Sequence, residues 1–187
     1  MPRIFSIGYG NRDVQETLRL VLLNNCRFLI DIRSNPYSRF QPDYNKESLE
    51  VACSKANIRY VFMGDLLGGR PKSQHCYDDQ GRVDYARLAS EGYFQDGLER
   101  LERALAKDLN VVLLCSELRP EQCHRSKLIG QALLPRGIDV FHIDTDGTVL
   151  GQVSVIRRIT GDQPELFGTP PTVSRSRGSY RKALPND

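Results

Sequence analysis

The sequence predicts an α/β domain, a three-layer sandwich with a mostly parallel central sheet flanked by helices. Three observations carry this. Short apolar runs of strand length recur at residues 4–7, 28–32, 59–63, 110–115 and 139–143. Segments with apolar residues at helical spacing lie between them. The run at 28–32 is apolar enough to be buried on both faces, as parallel strands are. A chain of 187 residues, 40% hydrophobic and 26% charged, has globular composition and the length for one core.

The elements follow in order. After the first strand, Gly8-Tyr9-Gly10 turns the chain. Asp13 with Glu16 reads as a capping box, and Val14, Leu18, Val21 and Leu22 form one helical face. A second helix spans 46–56, with Leu49, Ala52, Cys53 and Ala56 as its stripe, so Cys53 reads as core. A long loop follows the third strand, through Gly68, Gly69, Pro71, His75 and Gly81. Loops of that length are often functional or mobile; His75 and Cys76 read as exposed lid residues. Phe94, Leu98, Leu101 and Leu105 mark another helix, and residues 126–133 a further one. Asp146-Gly147 is a turn signal, and Val155, Ile156 and Ile159 mark a short closing helix. The strand order does not follow from the sequence.

Residues 1–168 read as one domain and 169–187 as a basic tail, disordered or loosely attached, because the composition shifts to Pro, Ser, Arg and Gly. Net charge is +3, of which residues 163–187 supply two, so the body is nearly neutral and unlike a nucleic-acid-coating surface. No apolar run reaches the roughly 20 residues that span a bilayer. The start runs directly into a strand, and five cysteines without a disulfide pattern read as free thiols. A cytoplasmic location is therefore expected.

In a parallel sheet the groups just after each strand converge on one edge, where ligands bind. The richest is the run from Leu114 to Arg125, with two cysteines, a glutamate, a histidine and two arginines on one strand-to-helix crossover. The candidate catalytic residues are Glu117, Cys123, His124 and His142. Pro120 fits the first position of a helix, which would place Cys123 and His124 in or near its first turn, where a thiol ionises readily. Cys115 ends an apolar strand and reads as a small buried hydrophobe. The candidate anion-binding residues are Gly8, Tyr9, Gly10, Arg33, Ser34, Arg39, Gly69, Arg70, Arg119 and Arg125. The arginine fork suits phosphate, sulfate or carboxylate, and the glycines permit close backbone approach. The opposing reading pairs each arginine with a carboxylate such as Asp31, Asp65 or Glu117. No dinucleotide or Walker motif is present. The Cys115–Cys123 gap is not a standard zinc spacing, so no metal or other cofactor is implied by motif.

The chain resembles the domain-of-unknown-function 488 family over about residues 3–160. The resemblance rests on the stretches 6–12, 31–38, 64–71, 114–117 with 123–125, and 142–147. It implies a compact α/β fold with a cluster at the strand ends, and little about reaction. The family usually has histidine where this chain has Tyr9, which cannot titrate near neutral pH; Gln152 is a second candidate departure. The leading expectation is an enzyme acting on a phosphate-bearing small molecule or nucleotide. The alternatives are a non-catalytic nucleotide or anion-binding module, and a nucleic-acid binding or processing protein using the tail. A redox or sulfur-transfer role through Cys115 and Cys123 is a further alternative.

Overall fold

The computed structural model describes residues 1–161 and 171–180. Its centre is a six-stranded sheet in the order β3-β2-β5-β1-β6-β7. The strands are β1 (Ile4–Gly8), β2 (Phe28–Asp31), β3 (Arg59–Phe62), β5 (Val111–Cys115), β6 (Val140–Ile143) and β7 (Val149–Gly151). The first five of these are parallel, and β7 folds back antiparallel on β6. Between β3 and β5 comes β4 (Arg82–Asp84), which pairs antiparallel with β8 (Arg175–Ser179) in a separate ribbon.

Side chains alternate across the sheet, as the pleat requires. Ile30, Ile32, Leu113 and Cys115 face one layer, built on α3 (Gly64–Leu67), α4 (Tyr85–Ala89) and α5 (Gly92–Ala106). Leu29, Val112, Leu114, Phe5 and Ile7 face the other, where α1 (Val14–Leu23) and α2 (Lys46–Lys55) supply Leu18, Val21, Leu49 and Cys53. Both faces are covered, which gives the three layers the sequence predicts. Asp13 caps α1 by accepting the Glu16 N–H at 2.7 Å; the Glu16 carboxylate faces Arg12 at 3.5 Å.

Several local expectations differ from the structure. The long loop after β3 contains α3, β4 and α4, with Asp84 capping α4 through the N–H groups of Ala86 and Arg87. The expected helix at 126–133 begins as a π-helical turn, Arg125–Gly130, before α6 (Gln131–Leu133). Single π turns are rare and recur at functional sites. The closing helix is α7 (Gln152–Thr160). Within the expected loose tail, α8 (Pro171–Ser174) and β8 are ordered against the body: Val173 and Ser176 are buried, and Arg175 pairs with Asp84 at 3.0 Å. The rest of that tail lies outside the described residues.

The strand order places a ligand site. From β1 the chain crosses to β2 over one face; from β5 it crosses to β6 over the other. The neighbours β1 and β5 thus send their connections in opposite directions, and a crevice opens beyond their carboxyl ends. Gly8 and Cys115 are register partners there.

Phe94 is fully buried at the start of α5. Phe94→Ala is expected to lower the unfolding free energy by about 3–5 kcal/mol, read by urea denaturation. A loss below about 1 kcal/mol would mean that α5 does not anchor this layer.

Candidate functional site

A cleft of about 210 Å³ opens at that edge, lined from β1 by Tyr9, from the β2 end by Arg33 and Ser34, and from β5 by Cys115, Ser116 and Glu117. Gly69, Arg70 and His124 complete its inner wall. Arg177 and Tyr180, at the end of the β8 segment, line it as well.

The reactive floor is compact. Cys115 Sγ lies 2.8 Å from Cys123 Sγ, 2.8 Å from Glu117 Oε2 and 3.5 Å from His124 Nδ1. Cys123 Sγ is 3.3 Å from the same Glu117 oxygen and 3.7 Å from His124 Nδ1. One donor atom from each of the four residues falls within 4.8 Å of the others, a set that could hold a metal ion. His75, Cys76 and Glu91 form a second, more exposed set. All five cysteines are free.

The electrostatics reverse the expected roles of the two thiols. Burial disfavours a Cys115 thiolate, but the Cys123 S–H donor and the adjacent His124 outweigh it and bring Cys115 down to about 6. Burial and the neighbouring Cys115 push Cys123 well up. Burial also works against the Glu117 carboxylate, yet His124 and the Cys115 hydrogen bond hold it at about 2. Cys123 lies near the first turn of a helix and not within it, just before His124, which caps the π turn. Pro120 opens a three-residue 3₁₀ turn, Pro120–Gln122, and Cys123 follows it in extended conformation. Cys115, read from the sequence as core, is thus the readily ionised thiol.

The anion-binding candidates divide. Arg33 lines the cleft while its Nε and Nη2 grip Asp31 at 2.8 and 2.6 Å and Nη2 also reaches the Tyr44 carbonyl. Its Nη1 is buried without a hydrogen-bond partner among the described residues. Arg70 and Ser34 line the cleft together, the Arg70 N–H donating to Ser34 Oγ. Gly69 lies against the His124 ring. Arg39 and Arg119 are exposed and outside the lining; Arg119 faces Glu121 at 4.0 Å. Arg125 is fully buried and donates to the Glu117 carbonyl at 2.6 Å and the Leu118 carbonyl at 2.9 Å, so it shapes the loop instead of facing a ligand. Gly8 serves the same packing, since a Cβ there would strike the Glu117 carbonyl and the Arg125 guanidinium. Gly10 turns with φ of 52° against Leu118. The N–H groups of Tyr9 and Gly10 are committed to the carbonyls of Cys115 and Ser116.

His142 is not in the cleft. It is buried inside β6, its Nδ1 2.6 Å from Ser6 Oγ and its Nε2 2.7 Å from Gln152 Oε1. Gln152 in turn donates to the Ser126 carbonyl at the π turn. Burial and the charge of Arg125 lower His142 to about 3, so it stays neutral as a core hydrogen-bonding group.

Sequence reasoning missed Arg177 and Tyr180, because composition assigned them to a loose tail. Arg177 donates to Gln122 Oε1 at 2.8 Å, and the Arg70 guanidinium sits 4.1 Å over the Tyr180 ring. The signal was an aromatic and two arginines in close succession within that tail.

The model of the family described as "Domain of unknown function DUF488" matches residues 13–131. The chain belongs to this family. The match takes in the stretches 31–38, 64–71 and 114–125, and so most of the cleft of this DUF488 protein; those around Ser6 and His142 lie outside it. No curated protein and no solved structure matches the chain.

The neutral His142 has a consequence for stability. Its folded value of about 3 lies below the ordinary 6.5, so the unfolded chain binds the proton more readily between the two. Its contribution is present above about pH 6.5 and is lost as pH falls toward 3. The unfolding free energy of His142→Asn is expected to fall less steeply than that of the wild type from pH 6.5 to 4, by urea denaturation at each pH. Parallel slopes would contradict the assignment.

Proposed function

We propose that this protein is a cytoplasmic enzyme, a hydrolase or transferase, that acts on a phosphate-bearing small molecule or nucleotide in the cleft beyond β1, β2 and β5. The observation that carries it is the unpartnered Nη1 of Arg33, a buried cationic N–H in a residue that lines the cleft. A buried donor left unmade costs free energy, and an incoming anion supplies its acceptor. Arg70 and Arg177 line the same space, and Tyr9, Tyr37, Tyr85 and Tyr180 add aromatic surface. Guanidinium beside aromatic surface suits a ligand with a phosphate and a ring. Glu117 and His124 sit beside Cys115, where protons can be moved. The cytoplasmic location is supported by free, buried thiols, and among the described residues no helix is long and apolar enough to cross a membrane.

A non-catalytic nucleotide or anion module would use the same arginines but leaves the Cys–Glu–His floor without a task. The nucleic-acid reading has less support, because the described basic residues of the tail already have partners in the body. Arg175 is engaged by Asp78 and Asp84, and Arg177 by Gln122.

The test is a thermal-shift screen of nucleotides and sugar phosphates, followed by a product assay on each hit. Ligand binding to the native state raises the apparent melting temperature. Arg70→Ala and Arg177→Ala, both at exposed positions, are expected to weaken a hit about tenfold each, or about 1.4 kcal/mol. Glu117→Gln is expected to retain binding and lose turnover. A screen without hits on folded protein would overturn the proposal; hits without product would leave the non-catalytic module.

A further inference from the structure

We propose that Cys115, Cys123, His124 and Glu117 form a binding site for one Zn²⁺ ion in the floor of the cleft. The metal site stands on its own geometry, and rests on the enzyme reading only for the step from bound metal to turnover.

Four ligand atoms of different residues converge within 4.8 Å. Three belong to groups that are anionic when ionised, two thiols and a carboxylate, crowded at 2.8–3.3 Å. Such a set needs either shared protons or a cation among its members. Thiolate, imidazole and carboxylate together suit zinc, whereas magnesium and calcium select all-oxygen sites. A tetrahedral zinc with Zn–S near 2.3 Å sets its ligand atoms about 3.3–3.8 Å apart. The Cys115–His124, Cys123–His124 and Cys123–Glu117 separations of 3.5, 3.7 and 3.3 Å already fall there. Loading the site opens the two 2.8 Å edges by several tenths of an ångström to about 1 Å.

The surroundings prepare these groups as ligands. His124 Nε2 lies 3.3 Å from the Ile32 carbonyl, which can only accept, so Nε2 keeps its proton and Nδ1 is the nitrogen turned to the two sulfurs, a ligand once its own proton is lost. An imidazole oriented by a carbonyl on its far nitrogen is the usual arrangement of a metal-bound histidine. The Arg125 backbone N–H points at Cys123 Sγ at 3.4 Å, a donor suited to a thiolate. On binding, Glu117 and the ionised Cys115 enter as anions, while Cys123 Sγ and His124 Nδ1 each release a proton to solvent. Cys115, Glu117 and His124 line the cleft and Cys123 lies behind them, so the metal has an open side. Glu117 is the ligand that a water molecule or a substrate oxygen can replace. The unusual eight-residue gap between the cysteines reflects their placement, one at a strand end and the other just before the π turn.

The experiment is metal analysis of the full chain purified without chelators, then titration of the reduced, metal-free protein with Co²⁺ and Zn²⁺. The expected result is one zinc per chain. Cobalt should give thiolate-to-metal charge-transfer absorption with the intense visible bands of a tetrahedral site. Zinc should protect two of the five thiols from alkylation, assigned by mass spectrometry to Cys115 and Cys123. Cys123→Ser and His124→Ala should weaken binding by about a hundredfold or more, at or beyond the effect of losing an outer-shell partner. His75→Ala should leave it unchanged. Folded, reduced wild type that takes up neither metal would overturn the proposal, as would metal retained at full affinity in Cys123→Ser, or a Cys115–Cys123 disulfide in purified protein that binds no metal after reduction. The wild-type spectrum and protection pattern decide the matter even where a variant fails to fold. Metal bound to a protein that no phosphate compound stabilises would remove the proposed function and leave this site standing.

Discussion

One buried guanidinium sets the geometry of the cleft. Among the described residues Arg125 has no carboxylate partner; its two Nη atoms donate to main-chain oxygens, those of Glu117 and Leu118, and its buried Nε has no hydrogen-bond partner. Hydrogen bonds to a charged donor are among the stronger ones in a protein interior, and the planar fork fixes two carbonyls at once. The loop after β5 is thereby held in the form that turns Cys115 and Glu117 toward Cys123 and His124. The same guanidinium, together with the Glu117 carbonyl, leaves no room for a side chain at position 8, and its charge adds to the burial that keeps His142 neutral. A glycine, an uncharged histidine and the floor of the cleft thus all border on this one group. The neighbouring Arg12 does comparable work nearer the surface, bonding the carbonyls of Gly8, Asp144 and Thr145 so that the ends of β1 and β6 stay together.

The fold was legible where periodicity is strong. The runs of the five parallel strands and the stripes of α1, α2 and α5 all read correctly, because each reports burial on a known face. What stayed hidden depends on contacts distant in sequence. Strand order rests on which strand fills the gap between β1 and β2. The role of Arg125 rests on carbonyls that only the folded loop presents. Cys115 has the sequence context of a core residue and the surroundings of an ionisable one, since its neighbours Cys123 and His124 come from the far end of the crossover. The region after β3 looked like loop because its elements are only three to five residues long and carry little period. Composition also misjudged the tail: Arg175 and Ser176 are polar, yet they are the groups that dock it, through Asp84 and the Val83 N–H.

Tyr9 forms a wall of the cleft and stands apart from its floor. Its ring stacks on Tyr44 with centroids 3.9 Å apart, and the Arg33 guanidinium lies 5.4 Å from its centre. Tyr44 is itself fixed by Thr17 and by the carbonyls at the start of α1. This wall of the cleft is therefore a rigid aromatic surface beside a cation.

The sheet order also governs how the chain is made. β1 and β2 are synthesised first, yet they do not touch; β5 lies between them and is the last of the three to leave the ribosome. Until residues 111–115 emerge, β1 has no strand partner and β2 has only β3, so the slot between them stays open. Sheets closed by a late, sequence-distant strand fold slowly and expose unpaired edges meanwhile. The strand that closes the slot is the one that ends in Cys115, so the nascent chain acquires its sheet and its reactive thiol in the same event.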